Sequence, residues 1–386
     1  MTRPLLISTM KNEAPYLLEW VAWHRLIGFD ALLVYTNDCE DGTDAMLDRL
    51  TQLGLARHER NKVLKRGPQK SALKHALAHE LTGAAEWLYV TDADEFLNIH
   101  VGDGTVQALI ASAPGADCIP VTWRLFSHGG EIEFRDAPVT ETMIEAERPL
   151  EEGGFPDRFA KCLYRRLPSL ARLGVHGPRE AGEARFVWMQ PDGRRLGKGD
   201  NLTRPARRFA YEAAQVNHYA VRSLDGYLVK KDRGRANHVN HDLGVEYWRR
   251  MCRGGSEDRT ILRRLPALKA EIARLKEDPE LARLHGEAVS WHREKIEELR
   301  ARPDIAALRA ELLALVEAGD HRAPFTPKRA AKEPEPRPEP RPEPRIAALC
   351  AELRGLLDHV EPRAAAMEAA ARLDEIERGL FGAPRR

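Results

Sequence analysis

The sequence has little of what marks a secreted, membrane-spanning or nucleic-acid-binding chain. Its five cysteines (Cys39, Cys118, Cys162, Cys252 and Cys350) are odd in number, scattered, and nowhere spaced C-x-x-C. That pattern argues against a disulfide framework or a zinc site and fits a reducing compartment. Charge of one sign is also missing, since 60 Lys and Arg stand against 59 Asp and Glu, a net charge of +1. No overall field therefore recruits nucleic acid or a membrane. No run approaches the roughly 20 apolar residues needed to span a bilayer. The first residues, Met1-Thr-Arg-Pro-Leu-Leu-Ile7, enter a strand-like run without an apolar leader. These absences describe a cytoplasmic protein, with contact at the inner face of the membrane left open. Glycine is absent from Thr9-Met-Lys-Asn-Glu13, the loop after that first run, where a glycine-rich phosphate cradle would stand.

What is present is organised around Glu86-Trp-Leu-Tyr-Val-Thr-Asp-Ala-Asp-Glu-Phe-Leu97. The aromatic and β-branched run over 87–90 has the composition of a buried strand. It meets three carboxylates, Asp92, Asp94 and Glu95. In an extended segment alternate side chains share a face, so Asp92 and Asp94 point the same way. Two carboxylates that close repel each other unless a cation sits between them. Oxygen ligands suit a hard divalent ion, Mn2+ or Mg2+. Ligands of open α/β sheets bind at the carboxyl ends of strands, where this cluster falls. A solvated acidic turn after a strand would carry the same residues.

The 386 residues are enough for a sizeable core and two or three domains. Periodicity predicts a strand over 5–8 and a helix over 14–26, with Leu17, Trp20, Val21 and His24 on one face and Gly28 as its stop. A strand over 31–35, a helix over 44–53, a weak strand over 55–58 and a helix over 69–81 follow. Strands alternating with helices imply βαβ units, hence an α/β fold with a mostly parallel central sheet. Further strands are expected over 118–123, 160–164 and 186–189. The last two fall in a loop-rich region, 124–217, whose size points to function. After Gly244, Arg, Glu, Leu and Ala dominate, and helices are expected over 245–252, 258–276, 279–301 and 305–318. Proline at every second position over 333–345 forms neither helix nor sheet and predicts an extended linker. Beyond it, Leu349, Leu353, Leu356, Leu357 and Val360 share one helical face. Such a helix needs a partner for its stripe: its own chain, a second copy by self-association, or a membrane surface. The expected organisation is a catalytic domain over 1–235, a helical extension over 236–320, a Pro-rich linker over 321–345 and a C-terminal helical segment over 346–386. Residues after about 323 are then dispensable for chemistry.

Three polar loops, 9–13, 37–43 and 91–95, thus stand at the carboxyl ends of three strands. Helix N-termini and loop amides there favour an anion. An acidic pair beside such a site is explained by a metal bridging a diphosphate, so a nucleoside diphosphate is the economical ligand. Lys65, Arg66 and Lys70 offer positive charge nearby, although a solvated helix start carries the same residues.

The motifs resemble a known family. Thr9-Met-Lys-Asn-Glu-Ala-Pro-Tyr-Leu-Leu-Glu-Trp20, with His24 and Ile27-Gly28, resembles the opening of bacterial family 2-like glycosyltransferases close to glycosyltransferase family 92. Val34-Tyr-Thr-Asn-Asp-Cys-Glu-Asp-Gly-Thr43 is similar to their second-strand motif, and Asp92-Ala-Asp-Glu-Phe96 to their acidic metal-binding motif. Asn217-His-Tyr-Ala-Val-Arg-Ser223 with Lys230 and Arg233-Gly234, then Glu246-Tyr-Trp-Arg-Arg250 with Glu257-Asp258, resemble later motifs. The matches run in order from Thr9 to Asp258.

The resemblance implies a glycosyltransferase A-type fold. It implies hexosyl transfer from a nucleotide-diphosphate sugar to an acceptor glycan or lipid-linked sugar, in surface polysaccharide or glycoconjugate synthesis. Residue by residue, it implies that Lys11, Asn12 and Glu13, with Asn37 and Asp38, line the nucleoside pocket. Asp38 and Asn37 stand where many members have paired aspartates. It further implies that Asp92 and Asp94 hold Mn2+ or Mg2+ on the donor diphosphate. A late histidine joins them, His218 within the matched motif ahead of His176. Lys70, Lys230 and Arg233 are the cations expected on the donor. The relatives are inverting enzymes, which implies one base for the acceptor hydroxyl. Glu131, Glu133, Asp136 and Asp157 lie in the loop-rich region, with Glu131 and Asp136 foremost. Two other readings stay open. A nucleotidyltransferase also uses an acidic metal site on an α/β sheet, and the glycine-free loop counts against it. A non-catalytic scaffold would bind through its C-terminal helices, and intact Asp92 and Asp94 count against that.

Overall fold

The computed structural model describes residues 3–148, 159–181, 186–197, 211–234 and 243–323. Met1–Phe325 forms one compact unit and Thr326–Arg386 another. The proline-alternating linker, the C-terminal helical segment with the self-association expected of it, and Asp157 all lie outside the described residues.

The first hundred residues alternate as their periodicity predicts. β1 (Pro4–Met10), α1 (Ala14–Leu26), β2 (Ala31–Thr36), α2 (Thr43–Gln52), β3 (Arg57–Arg60), α3 (Pro68–Leu77), α4 (Glu80–Ala84) and β4 (Trp87–Val90) follow in order. The helix expected over 69–81 breaks at His79, whose ring accepts the Leu81 amide as the cap of α4. β5 (Glu95–Ile99) begins on the last carboxylate of the acidic turn, and α5 (Val106–Ser112) follows it. β6 (Cys118–Leu125), α6 (Val139–Thr142), β7 (Glu145–Glu147), β8 (Ala160–Arg165), β9 (Leu170–Arg172), β10 (Arg179–Glu180) and β11 (Ala214–His218) span the loop-rich region. The stretch expected as a strand over 186–189 contributes only isolated bridges, Cys118 with Trp188 and Met189 with Arg195. α7 (Leu224–Asp232), α8 (Val245–Met251), β12 (Gly255–Glu257), α9 (Leu265–Leu275), α10 (Pro279–Arg300) and α11 (Pro303–Glu317) complete the unit. The helix expected over 258–276 is a 3-10 turn, Thr260–Arg264, before α9.

One eight-stranded sheet has the order β3-β2-β1-β4-β8-β6-β11-β5. Its β3-β2-β1-β4 half is parallel, β8 is antiparallel to both β4 and β6, β6 and β11 are parallel, and β5 is antiparallel to β11. The fold is therefore α/β with a mixed sheet. The period of two decides which face each residue covers. Leu6, Met10, Leu32, Val34, Trp87 and Tyr89 join α1, α9 and the first half of α10 in one core. Leu5, Ile7, Leu33, Tyr35, Leu88 and Val90 pack with Ala72, Leu73 and Ala76 of α3 in the other. Covered on both faces, these strands read as unbroken apolar runs. α1 is buried from Ala14 to His24, beyond the single face its spacing suggested, because the sheet lies under it and α9 and α10 lie over it.

α10 ties the helical extension to the sheet. Asp278 caps it by accepting the Leu281 amide, and also pairs with Arg49 of α2. Leu281, Leu284 and Ala288 join the sheet core, and Ile296 and Leu299 join a third core with α7, α8 and α11. No described helix is long and apolar enough to cross a membrane.

Candidate functional site

The carboxyl ends of β1 and β2 are laced together by side chains. The Asn12 side chain accepts the Glu40 amide at 2.8 Å, Asp41 accepts the Ala14 amide at 2.8 Å, and the Thr43 hydroxyl accepts the Glu13 amide at 2.9 Å. Asn12 and Asp38 both have φ of 51°, and Arg222, after β11, has 54°. Left-handed backbone is tolerated by Asn and Asp but costs an arginine, and such strain gathers at ligand sites. These are the only described non-glycine residues with positive φ, and all three border one edge of the sheet. Asn37 is buried, and its side-chain oxygen has no hydrogen-bond partner among the described residues.

The acidic turn is shaped by Glu95. Its Oε2 accepts the Thr91 hydroxyl at 2.8 Å and the Asp92 amide at 2.9 Å, and Lys161 Nζ of β8 lies 3.2 Å away. The same Nζ is 2.9 Å from Asp92 Oδ2, while Gln69 of α3 donates to Asp92 Oδ1 at 2.9 Å. Lys161 and Glu95 are fully buried. Burial pushes the Lys161 ammonium down, but Asp92 and Glu95 outweigh it and hold the charge in place. Burial also pushes the Glu95 carboxyl up, with Lys161 opposing.

Asp94 looks into a different set of partners. The Tyr219 amide donates to Asp94 O at 2.9 Å, pinning the end of β11 to the turn and bringing His218 to it. His218 Nε2 lies 3.6 Å from Asp94 Oδ1, and Lys230 Nζ of α7 lies 2.5 Å from Oδ2. Burial raises the Asp94 carboxyl, but Lys230, His218 and Arg222 together hold it well below the usual carboxylate range. Asp92 and Asp94 thus each have an ammonium of their own.

A third knot clamps the β1 loop. Glu13 is buried and pairs with Arg222 at 2.8 Å and with Arg233. Burial raises the Glu13 carboxyl, and the two guanidiniums overcome that and leave it lowered. Arg233 Nη1 also donates to Lys11 O at 2.5 Å and Asn12 O at 2.6 Å. Arg222 reaches Ala93 O at 3.2 Å and lies 3.7 Å over the Tyr16 ring. Arg222 therefore joins the β1 loop, the acidic turn and α1.

The structure brings together Lys11, Asn12, Glu13, Asn37, Asp38, Asp92, Asp94, His218, Lys230 and Arg233 around this edge. His176 stands against Trp123 too, whose ring centre is 5.3 Å from that of His176 and 4.4 Å from that of His218, and its Nδ1 lies 3.2 Å from Ala160 O. Lys65, Arg66 and Lys70 are exposed, and α3 turns Gln69 rather than Lys70 toward Asp92. Glu131 lines a narrow crevice with Tyr16, Arg222 and Ser223, and pairs with Arg135 at 2.9 Å. Asp136 is bound to His285 of α10 at 2.9 Å, and that hydrogen bond holds its carboxyl below the usual value. Glu133 is exposed, 3.7 Å from Arg300. Sequence reasoning gave no role to Lys161, Arg222 or Gln69. Lys161 alternates with apolar residues in a strand, a place where an unpaired lysine would be costly, and that was the available signal.

Among the described residues no three His, Cys, Asp or Glu side chains converge on a metal-binding point. Asp94 Oδ1 and His218 Nε2 offer one oxygen and one nitrogen across their gap. Ions such as Mg2+ commonly take one or two protein ligands and complete their shell with water and substrate phosphate. The residues fit an ion of that kind at Asp94 and His218. Each Asp92 oxygen accepts one hydrogen bond, Oδ2 from Lys161 and Oδ1 from Gln69, as Asp94 Oδ2 does from Lys230.

No family model matches the chain. Over 102 residues, 25% of this chain, it is 28% identical to a glycosyltransferase family 92 protein of Ricinus communis. Over 106 residues it is 27% identical to another of Oryza sativa subsp. japonica. The chain matches only 17% of the length of each of these curated relatives. Among solved structures, S. aureus TarS 1–349 in complex with UDP is 12% identical, with a TM-score of 0.30, covering 83% of this chain and 89% of that one. The same fragment in complex with UDP-GlcNAc gives a TM-score of 0.27 at 13% identity, covering 83% of this chain and 90% of that one. Likeness of that degree carries no conclusion about this chain.

Proposed function

We propose that the chain is a glycosyltransferase moving a hexosyl group from a nucleotide-diphosphate sugar to a hydroxyl of an acceptor glycan or lipid-linked sugar. The observation that carries the reading is the meeting of Asp94, His218 and Lys230 beside a β1 loop clamped by Arg222 and Arg233. The similarity to family 92 proteins supports it. The reading includes an A-type fold whose parallel half, β3-β2-β1-β4, takes the nucleotide at its carboxyl edge. It also includes inversion, dependence on Mn2+ or Mg2+, and a place in polysaccharide or glycoconjugate synthesis.

Lys11, Asn12, Glu13, Asn37 and Asp38 would surround the nucleoside, with the unpaired Asn37 oxygen accepting an N–H of the base. Asp94 and His218 would hold the divalent ion. Bound there, the ion supplies positive charge to the donor diphosphate. Lys230 adds a fixed ammonium at the same place, and Arg233 keeps the β1 loop in shape through its carbonyls. The acceptor oxygen attacks the anomeric carbon opposite the leaving group. The bond from that carbon to the diphosphate oxygen breaks, and its electron pair leaves with the nucleoside diphosphate. The acceptor proton passes to a carboxylate, and Glu131, in the crevice beside Arg222, is the base we assign.

The test is release of nucleoside diphosphate from a panel of nucleotide sugars with Mn2+ and a mixed glycan acceptor. Wild-type chain should turn over one donor, and Asp94→Asn and Glu131→Gln should each lose at least about a hundredfold while remaining folded at the assay temperature. No turnover of any donor by the folded wild type, or unchanged turnover in Asp94→Asn, overturns the reading.

A further inference from the structure

A cavity of about 300 Å3 opens beside the β1 loop. Lys11, Asn12 and Glu40 line it from the strand ends, Asp232 from α7, and Trp291 and Lys295 from α10. The last two come from the helical extension, which neither the sequence motifs nor the donor reading had brought to the site. They stand four residues apart on one helix and so share a face. Trp291 is half-buried, packed against the third core while still lining the cavity. Lys295 Nζ is 3.2 Å from Asp232 Oδ2. α10 is fixed at both ends of this stretch, because Ala288 belongs to the sheet core and Ile296 to the third core.

Three chemistries meet in this cavity. The indole offers a flat apolar face, on which a base or a sugar ring stacks. Glu40 and Asp232 offer carboxylates, which accept from neighbouring hydroxyls. Lys11 and Lys295 offer ammoniums, which oppose a phosphate. A nucleoside phosphate carries all three complements, and the volume is that of a small-ligand pocket.

We propose that α10 closes the donor pocket, with Trp291 stacking on the nucleobase and Lys295 facing the nucleotide's polar part. The helical extension is then part of the binding site. This inference rests on the donor reading and deepens it by naming the wall that selects the base.

The experiment titrates UDP, GDP, ADP, CDP and dTDP with Mn2+ by calorimetry into the full chain and three variants. It also follows hydrogen exchange of the peptide over 288–296 in wild type. For the tightest-binding diphosphate, Trp291→Ala should raise Kd at least tenfold and Trp291→Phe less than threefold. Glu294→Ala, on the exposed side of α10, should leave Kd unchanged. The peptide should gain protection when the diphosphate binds. Wild-type binding with unchanged Kd in Trp291→Ala and no protection overturns the role of α10 and leaves the donor reading standing. If wild type binds none of the five, both fall. Should Trp291→Ala not fold, the wild-type exchange decides alone.

Discussion

Lys161 shows how one buried charge shapes the acidic turn. It lies between Asp92 and Glu95, with its ammonium 6.0 Å from the Trp123 ring centre. Removing it leaves Glu95 buried beside Asp92 without its main opposing charge. Breaking a buried pair in this way typically costs about 3–5 kcal/mol. Lys161→Met should therefore lose about that much in urea unfolding at pH 7. The sign of its pH dependence follows from Glu95, whose carboxyl burial already pushes up. An acid with a raised folded pKa binds its proton more readily in the native state, so acidification favours folding of the variant. The gap between variant and wild type should narrow from pH 7 to pH 5. A gap that stays constant or widens would show that Glu95 is not the source of the cost.

At the scale of elements, α1 is the one the sheet edge depends on. Trp20 donates to Asp92 O at 3.2 Å, and Glu19 accepts the Val139 and Thr140 amides at the start of α6. His24 is fully buried, its Nδ1 on Trp20 O at 2.9 Å and its Nε2 without a partner among the described residues. Burial, only partly offset by that hydrogen bond, lowers its pKa to about 3 from 6.5. Between those values the unfolded chain takes a proton that the folded chain refuses. Its contribution to stability is therefore complete above pH 6.5 and declines as pH falls toward 3. At about 1.4 kcal/mol per unit, it accounts for about 2 kcal/mol between pH 6.5 and pH 5. His24→Leu should flatten the fall in unfolding free energy over that range by about this amount, measured by urea titration at both values. An unchanged slope would place the sensitivity at other buried histidines, such as His128, which burial and His321 lower to about 4.

For the whole molecule, the compact unit ends at Phe325, and the contacts near that end fix where the chain can be cut. His321 O accepts the Gly254 amide at 2.8 Å, His321 Nε2 lies 3.3 Å from Glu145, and Arg322 is 2.5 Å from the same carboxylate. A chain ending at Phe325 should match full-length chain in melting temperature and in nucleotide binding. One ending at Gly319 strips Glu145 of His321 and Arg322, leaving it the Ser127 hydroxyl and the Gly255 amide, and should lose about 1–3 kcal/mol of stability. Differential scanning calorimetry of the two truncations checks this, and equal melting temperatures would show that these contacts contribute little.

The parallel half of the sheet was legible because its signals are local. Apolar runs, Gly28 after α1 and the acidic stretch at 91–95 follow from neighbours in the chain, and hydrophobic period alone assigned them to strand, helix and loop. β5 and β11 were not legible. A buried carboxylate opens β5, and β11, Ala-Gln-Val-Asn-His, is half polar. Both are strands because of distant partners: Lys161 for Glu95, and the β6 and β5 edges for β11. The same holds at the candidate site. Sequence located the carboxylates, His218, Lys230 and Arg233 on matched motifs. Only the tertiary structure decided that Asp92 answers to Lys161 and Gln69 while Asp94 answers to His218 and Lys230. It alone carried Trp291 of α10 to the Lys11 loop. The reason is physical: period and motif act between neighbours in the chain, whereas the pairing of buried charges is set by which elements pack, across 136 residues from Asp94 to Lys230 and 209 from Glu13 to Arg222.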